Sequence, residues 1–152
     1  MIANAMPVLL KKGRPIDSGK LFIDGKRILG DGKTWEGLLI GSIGGFLASL
    51  AVSLFFREEP LLPIFFAASI AGLLGDICES FFKRRLGIQR GEPLPVFDQL
   101  DFAIGATILY MITGLITIAH LFFVVFSFTI ILLLHITTNV IAYNLGLKDK
   151  PW

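Results

Sequence analysis

The chain has 152 residues, 54% of them hydrophobic and 17% charged, with a formal net charge of +2 at neutral pH. That balance lies far from soluble-domain averages and points to a helical membrane protein, with no case for a nucleic-acid partner. The single cysteine, Cys78, excludes an intrachain disulfide scaffold.

The first ten residues are apolar but too short to cross a bilayer, and they end in Pro7 and the Lys11–Lys12 pair. The charge follows the apolar letters, the reverse of a signal peptide, so the segment reads as a shortened amino-terminal span. Residues 11–34 mix glycines with charges of both signs, which forbids a span and predicts a surface arm. Its end, Gly30-Asp31-Gly32-Lys33-Thr34, fails the phosphate-loop pattern because position 27 is Arg27 and no apolar strand precedes it. Thr34 is instead placed to cap the helix that follows, and a capped helix start remains compatible with phosphate contact.

A spanning helix needs about 20 mostly apolar residues. Residues 35–56 qualify, and the recurrence of Gly37, Gly41, Gly44, Gly45 and Ser49 predicts close helix packing there. Residues 61–82 qualify despite Asp76 and Glu79. Asp76, Glu79 and Lys83 follow i, i+3, i+7 spacing, which places them within roughly 60° on one helical face. Glu79 and Lys83 are an expected i, i+4 ion pair, whereas Asp76, about two turns deeper, is left without an evident partner. An ionised group at such depth is a functional-site hypothesis by default.

Residues 83–100 form a basic loop broken by Gly and Pro, carrying Lys83, Arg84, Arg85 and Arg90. Residues 102–147 contain no Asp, Glu, Lys or Arg, a run that suits two spans, at 101–119 and 122–143, joined by a hairpin near His120. Four complete spans place the arm, the 83–100 loop and the carboxy-terminal tail on one side. Thirteen of the fourteen Lys and Arg residues then share that side, Arg57 being the exception. The positive-inside rule makes it cytoplasmic, and the protein an integral protein of the cell membrane.

Asp98 and Asp101 recur at i, i+3 where the third complete span begins. One of them is accounted for by helix capping. Together with Asp76 on the neighbouring helix they make a set of three carboxylates, Asp76, Asp98 and Asp101, whose hard oxygen ligands suit Mg²⁺. No Cys/His cluster favours zinc or iron. Lys83, Arg84 and Arg90 beside the acids resemble a phosphate clamp, while Arg85 is explained by topology alone. Metal, clamp and membrane location point to phosphoryl or nucleotidyl transfer to a lipid. A cation transporter would explain Asp76 but gives the basic loop no role. The D-G-x-x-A-R pattern of CDP-alcohol phosphotransferases is absent.

Gly75-Asp76, Glu79-Ser80-Phe81, Lys83-Arg84, Arg90-Gly91, Pro95 and Asp98-Gln99-Leu100-Asp101 resemble the signature of archaeal CDP-archaeol synthases, relatives of phosphatidate cytidylyltransferases. Asn4-Ala5-Met6-Pro7, Pro15-Ile16-Asp17, Gly30 to Thr34, Asn139 and Pro151-Trp152 extend the resemblance over essentially the whole chain. The family carries a further amino-terminal span, and this chain is shorter there. The resemblance implies one membrane-embedded domain over 1–152 that uses CTP and a prenylated glycerol phosphate within the membrane. Its product would be CDP-archaeol (unsaturated), released with pyrophosphate. It implies Mg²⁺ on Asp76, Asp98 and Asp101. Lys83 and Arg84, with Lys33 and Arg90, would bind the phosphates, and Asn4, Asp31, Thr34 and Asn139 would contact the nucleotide.

Overall fold

A computed structural model describes residues 1–10, 13–89 and 92–146. Five α-helices carry the fold: α1 (Ile2–Ala5), α2 (Trp35–Phe56), α3 (Leu62–Arg85), α4 (Phe97–Ile112) and α5 (Leu121–Asn144). Among the described residues there is no strand ladder, and two isolated antiparallel bridges, Pro15 with Thr34 and Leu21 with Arg27, pin the arm. Among the described residues, three helical stretches are long and apolar enough to cross a membrane: Trp35–Phe56, Glu59–Arg85 and Ile118–Ile141.

Each helix boundary has a local cause. Thr34 caps α2, its hydroxyl accepting from the Gly37 N–H at 3.0 Å. Arg57 closes α2 in the left-handed conformation, φ 58°. Pro63 occupies the first turn of α3, where its missing N–H costs nothing. At the other end Lys83, Arg84 and Arg85 continue the helix, because cations complement the carboxyl-terminal dipole while their stems lie along apolar surface.

The fourth helix departs most from its sequence pattern. It begins at Phe97, with Asp98 in its first turn, and ends at Ile112, short of the expected 119. Gly114 at φ 75° and the Thr117/His120 capping box divert the chain before a long span forms. Its 16 residues make about 24 Å of helix, less than the roughly 30 Å hydrocarbon core.

The buried face of α2 is made of Gly37, Gly41, Gly44, Gly45, Ser49 and Ser53. It receives the amino-terminal segment and α3. A side chain at Gly41 would meet the Ala3 carbonyl and Leu73, and one at Gly44 would meet Met6. The tightest approach joins α3 to α4. A methyl on Gly75 would overlap the Asp101 carbonyl oxygen, and one on Gly105 would overlap that of Ala71. This backbone-to-backbone packing is what small residues permit in lipid, where no hydrophobic force drives helices together. It also fixes Asp101 against the turn of α3 that bears Asp76.

Candidate active site

The arm between α1 and α2 is built around a carboxylate. Asp17, with its side chain 0% exposed, accepts from the N–H groups of Gly19, Leu29 and Gly30 at 3.1, 3.0 and 2.9 Å. The Arg27 guanidinium adds two more bonds, at 3.1 and 2.7 Å. Burial alone would raise the Asp17 pKa, but the guanidinium and the three backbone donors outweigh it and hold the carboxyl well below its ordinary value. Arg27 also reaches Asp31 at 2.8 Å. Its pKa is raised, first by the bond to Asp17 and then by that to Asp31.

Arg85 fastens this arm to the end of α3. Its guanidinium lies 4.7 Å from the Phe22 ring centroid and 4.9 Å from that of Phe81. It pairs with Asp24 at 3.1 Å and donates to the Arg27 carbonyl, while Lys26 donates back to the Arg85 carbonyl at 3.1 Å. Topology alone therefore understates Arg85. No periodicity in the sequence announces the contact, because Phe22 and Asp24 belong to an irregular hairpin.

The arm thus folded delivers Lys33 to the deep carboxylate of α3. Lys33 Nζ lies 2.6 Å from Asp76 Oδ2, so the group left without a partner in the sequence is ion-paired by a residue 43 positions earlier. Lys83 stands 3.3 Å from Glu79 Oε1 and 2.8 Å from Asp98 Oδ1. Asp98 also accepts from the Leu94 N–H at 3.1 Å. Asp101 is buried at 7% exposure. Among the described residues, the carboxylates able to share one ion are Asp76, Glu79 and Asp101, each offering an oxygen within 4.8 Å of the others. The structure thus puts Glu79 where the sequence pattern put Asp98, and Lys83 links the two, 3.3 Å from one and 2.8 Å from the other. The set is all-oxygen, with Asp76 and Glu79 only partly buried, which fits a hard divalent cation such as Mg²⁺.

These residues line a cavity of about 610 Å³ at the end of the helices where the arm docks. Arg27, Asp31, Lys33, Asp76, Glu79, Lys83, Arg84, Asp98 and Asp101 all contribute to its wall. Arg84 Nε is buried there without an acceptor among the described residues. A cavity of about 370 Å³ adjoins it, lined by Asn4 and Thr34, and shares Gly32, Lys33 and Asp76 with the first. Asn139 lies on α5 and contributes to neither wall. Arg90 falls outside the described residues.

The whole chain, residues 1–152, matches the family described as CarS-like, CDP-archaeol synthase. A CDP-archaeol synthase of Staphylothermus marinus is 49% identical over 153 residues, covering 100% of this chain and 87% of that protein. One from Methanococcoides burtonii is 42% identical over 99% of this chain and 97% of its own length. A solved structure of an intramembrane enzyme for archaeal membrane lipid biosynthesis superposes with a TM-score of 0.85 at 42% identity, covering 92% of this chain and 87% of that one. Fold, site composition and full-length similarity agree, and the chain belongs to the CDP-archaeol synthase family.

Proposed function

We propose that the protein transfers the cytidylyl group of CTP to 2,3-bis-(O-geranylgeranyl)-sn-glycerol 1-phosphate. The products are CDP-archaeol (unsaturated) and pyrophosphate, and the reaction depends on Mg²⁺. The observation that carries this reading is the convergence of the carboxylates Asp76, Glu79, Asp98 and Asp101 with Lys33, Lys83 and Arg84 on one cavity. Such a site neutralises and positions phosphates, which is most of what this chemistry requires of a protein.

A phosphate oxygen of the lipid attacks the α-phosphorus of CTP. The bond from that phosphorus to the oxygen bridging to the β-phosphate breaks, and pyrophosphate leaves with the electron pair. The attacking oxygen is already anionic, so no protein base or covalent enzyme intermediate is required. Asp76, Glu79 and Asp101 are placed to hold Mg²⁺, which when bound supplies charge neutralisation to the phosphates. Lys83 and Arg84 hold the triphosphate and then the departing pyrophosphate, with Lys33 on the acceptor side. Asp98 orients Lys83 through their 2.8 Å contact. Backbone contact at Gly75 keeps Asp101 in register with Asp76.

A four-span arrangement, with α4 as the short span, puts this site on the cytoplasmic face of the cell membrane, where CTP is available and the basic residues collect. Purified protein in detergent with labelled CTP, Mg²⁺ and the ether lipid phosphate is expected to yield labelled CDP-lipid and stoichiometric pyrophosphate. Absence of CTP consumption with both ether and ester lipid phosphates overturns the assignment.

A further inference from the structure

We infer that the smaller cavity is the binding site for the acceptor phosphate, a phosphate monoester of a dialkylglycerol, and that Asn4 contacts that headgroup. The inference rests on the cytidylyl-transfer reading and says where its second substrate sits.

Three observations carry it. First, the two cavities share Gly32, Lys33 and Asp76, so the Lys33–Asp76 pair forms a common wall between them. In-line transfer requires the acceptor oxygen to approach the α-phosphorus from the side opposite the leaving pyrophosphate. A compartment that shares Lys33 and Asp76 with the triphosphate cavity can meet that requirement without rearranging the helices.

Second, the two cavities differ in the number of basic side chains they present. The larger carries Lys26, Arg27, Lys33, Lys83 and Arg84, enough cations for a triphosphate. The smaller carries Lys33 as its basic side chain, with the Asn4 amide and the Thr34 hydroxyl. Thr34 uses its oxygen to accept from Gly37, which leaves its hydroxyl proton to donate. Asp76 also lines the smaller cavity, paired with Lys33, so the cavity offers one phosphate monoester two neutral donors and an ammonium that is already ion-paired.

Third, much of the rest of the small cavity's lining is apolar, Leu10, Leu38 and Leu73 included, with Asp76 as the charged exception. A nucleotide has no use for such a wall, whereas the glycerol end of an ether lipid carries hydrocarbon within a few bonds of its phosphate. The first turns of α2 beside it expose Trp35 and Leu39, residue types that sit at or below the headgroup level of a bilayer. Asn4 and Thr34, which the family resemblance gives to the nucleotide, thereby pass to the lipid.

The test uses the full chain in detergent, with Asn4→Leu to remove the donor and Leu38→Phe to fill the cavity. Substrates are long-chain and short-chain dialkylglycerol 1-phosphates, and CTP binding is measured separately by calorimetry with Mg²⁺. Each variant is expected to raise the KM for both lipid phosphates by about tenfold or more, Asn4→Leu through the loss of a charge-assisted hydrogen bond and Leu38→Phe by occupying the headgroup's space. The Kd for CTP should stay within about twofold, which also reports an intact fold, while Lys83→Ala should show the opposite pattern. If Leu38→Phe does not fold, Asn4→Leu decides alone. An unchanged lipid KM in Asn4→Leu, or a CTP Kd that moves with it, overturns the assignment of the cavity. Failure of the unmodified protein to release pyrophosphate from CTP and lipid phosphate removes the functional reading itself and this inference with it. Normal turnover with an unmoved lipid KM removes the subsite alone.

Discussion

Gly75→Ala sets two physical effects against each other. Alanine is the better helix former by about 1 kcal/mol, so propensity alone predicts a more stable α3. Packing predicts the reverse. The added methyl would overlap the Asp101 carbonyl oxygen and lie 3.1 Å from its carbon and 3.4 Å from the Gly105 Cα. All three obstacles are backbone atoms of α4, so no side-chain rotation relieves them. Restoring ordinary carbon contact distances parts the helices by about 1 Å. Overpacking of this kind costs about 1–3 kcal/mol, enough to cancel or exceed the gain in propensity. The larger effect falls on chemistry. Asp101 is carried away from Asp76 and Glu79, and a displacement near 1 Å lowers turnover by about 100-fold. Pyrophosphate release per folded enzyme, together with the melting temperature in detergent, gives both readouts. Gly45→Ala is the control: its nearest obstacles are the side chains of Ser69 and Ala3, none of them backbone of α4. It should lower the melting temperature and leave turnover per folded molecule near normal. A Gly75→Ala protein with raised melting temperature and full activity would refute the backbone-contact argument.

Asp101→Asn is expected to abolish CDP-lipid formation, and Asp98→Asn, which loosens Lys83, to lower it by about 100-fold, while the detergent melting curves stay close to that of the unmodified protein. Retained Mg²⁺-dependent turnover in both would count decisively against the assigned site. Asp17→Asn turns one accepting oxygen into a donor facing other donors and should cost the arm about 3 kcal/mol, seen as faster proteolysis between residues 13 and 34. Because the folded pKa of Asp17 lies below its ordinary 3.8, its stabilisation is complete above about pH 4 and fades only as pH falls further toward the folded value. Arm proteolysis should accordingly be insensitive to Asp17 between pH 7 and pH 5 and accelerate in stronger acid. Arg85→Lys loses the planar group that lies on Phe22 and Phe81 and should raise the KM for CTP by about tenfold with a smaller change in kcat. Equal KM values would show that the arm docks without Arg85.

Much of the bundle can be read from the order of residues because hydrocarbon imposes a strict rule on composition. The uncharged run after Glu36, the cap at Thr34 and the small-residue face of α2 all follow from local pattern. The carboxylates of α3 stood out for the same reason, being charges in the wrong solvent. What the pattern could not give was pairing across long separations. Lys33 reaches Asp76, and Arg85 reaches Phe22 and Asp24, through an arm with no periodicity to align them. The exchange of Glu79 for Asp98 among the clustered acids turns on where a single ammonium, that of Lys83, sits between them. The end of α4 was missed because Gly114 and the Thr117–His120 box act as punctuation inside an otherwise continuous apolar run.

The arm itself has an unusual interior. Within residues 13–34 the one buried residue is Asp17, a carboxylate. The segment is therefore held shut by a polar knot and by the Arg85 fastening, with almost no hydrophobic burial of its own. Such a unit opens at a lower free energy than the helices beneath it. Arg27, Asp31 and Lys33 form part of the nucleotide cavity when the arm is closed, so the apparent affinity for CTP is the intrinsic affinity scaled by the closed fraction. Nucleotide and lipid phosphate both draw on Lys33, and each must stabilise the same closed arm. On the proposed reading, binding of either substrate is expected to favour binding of the other, a cooperativity supplied by the arm rather than by the helices.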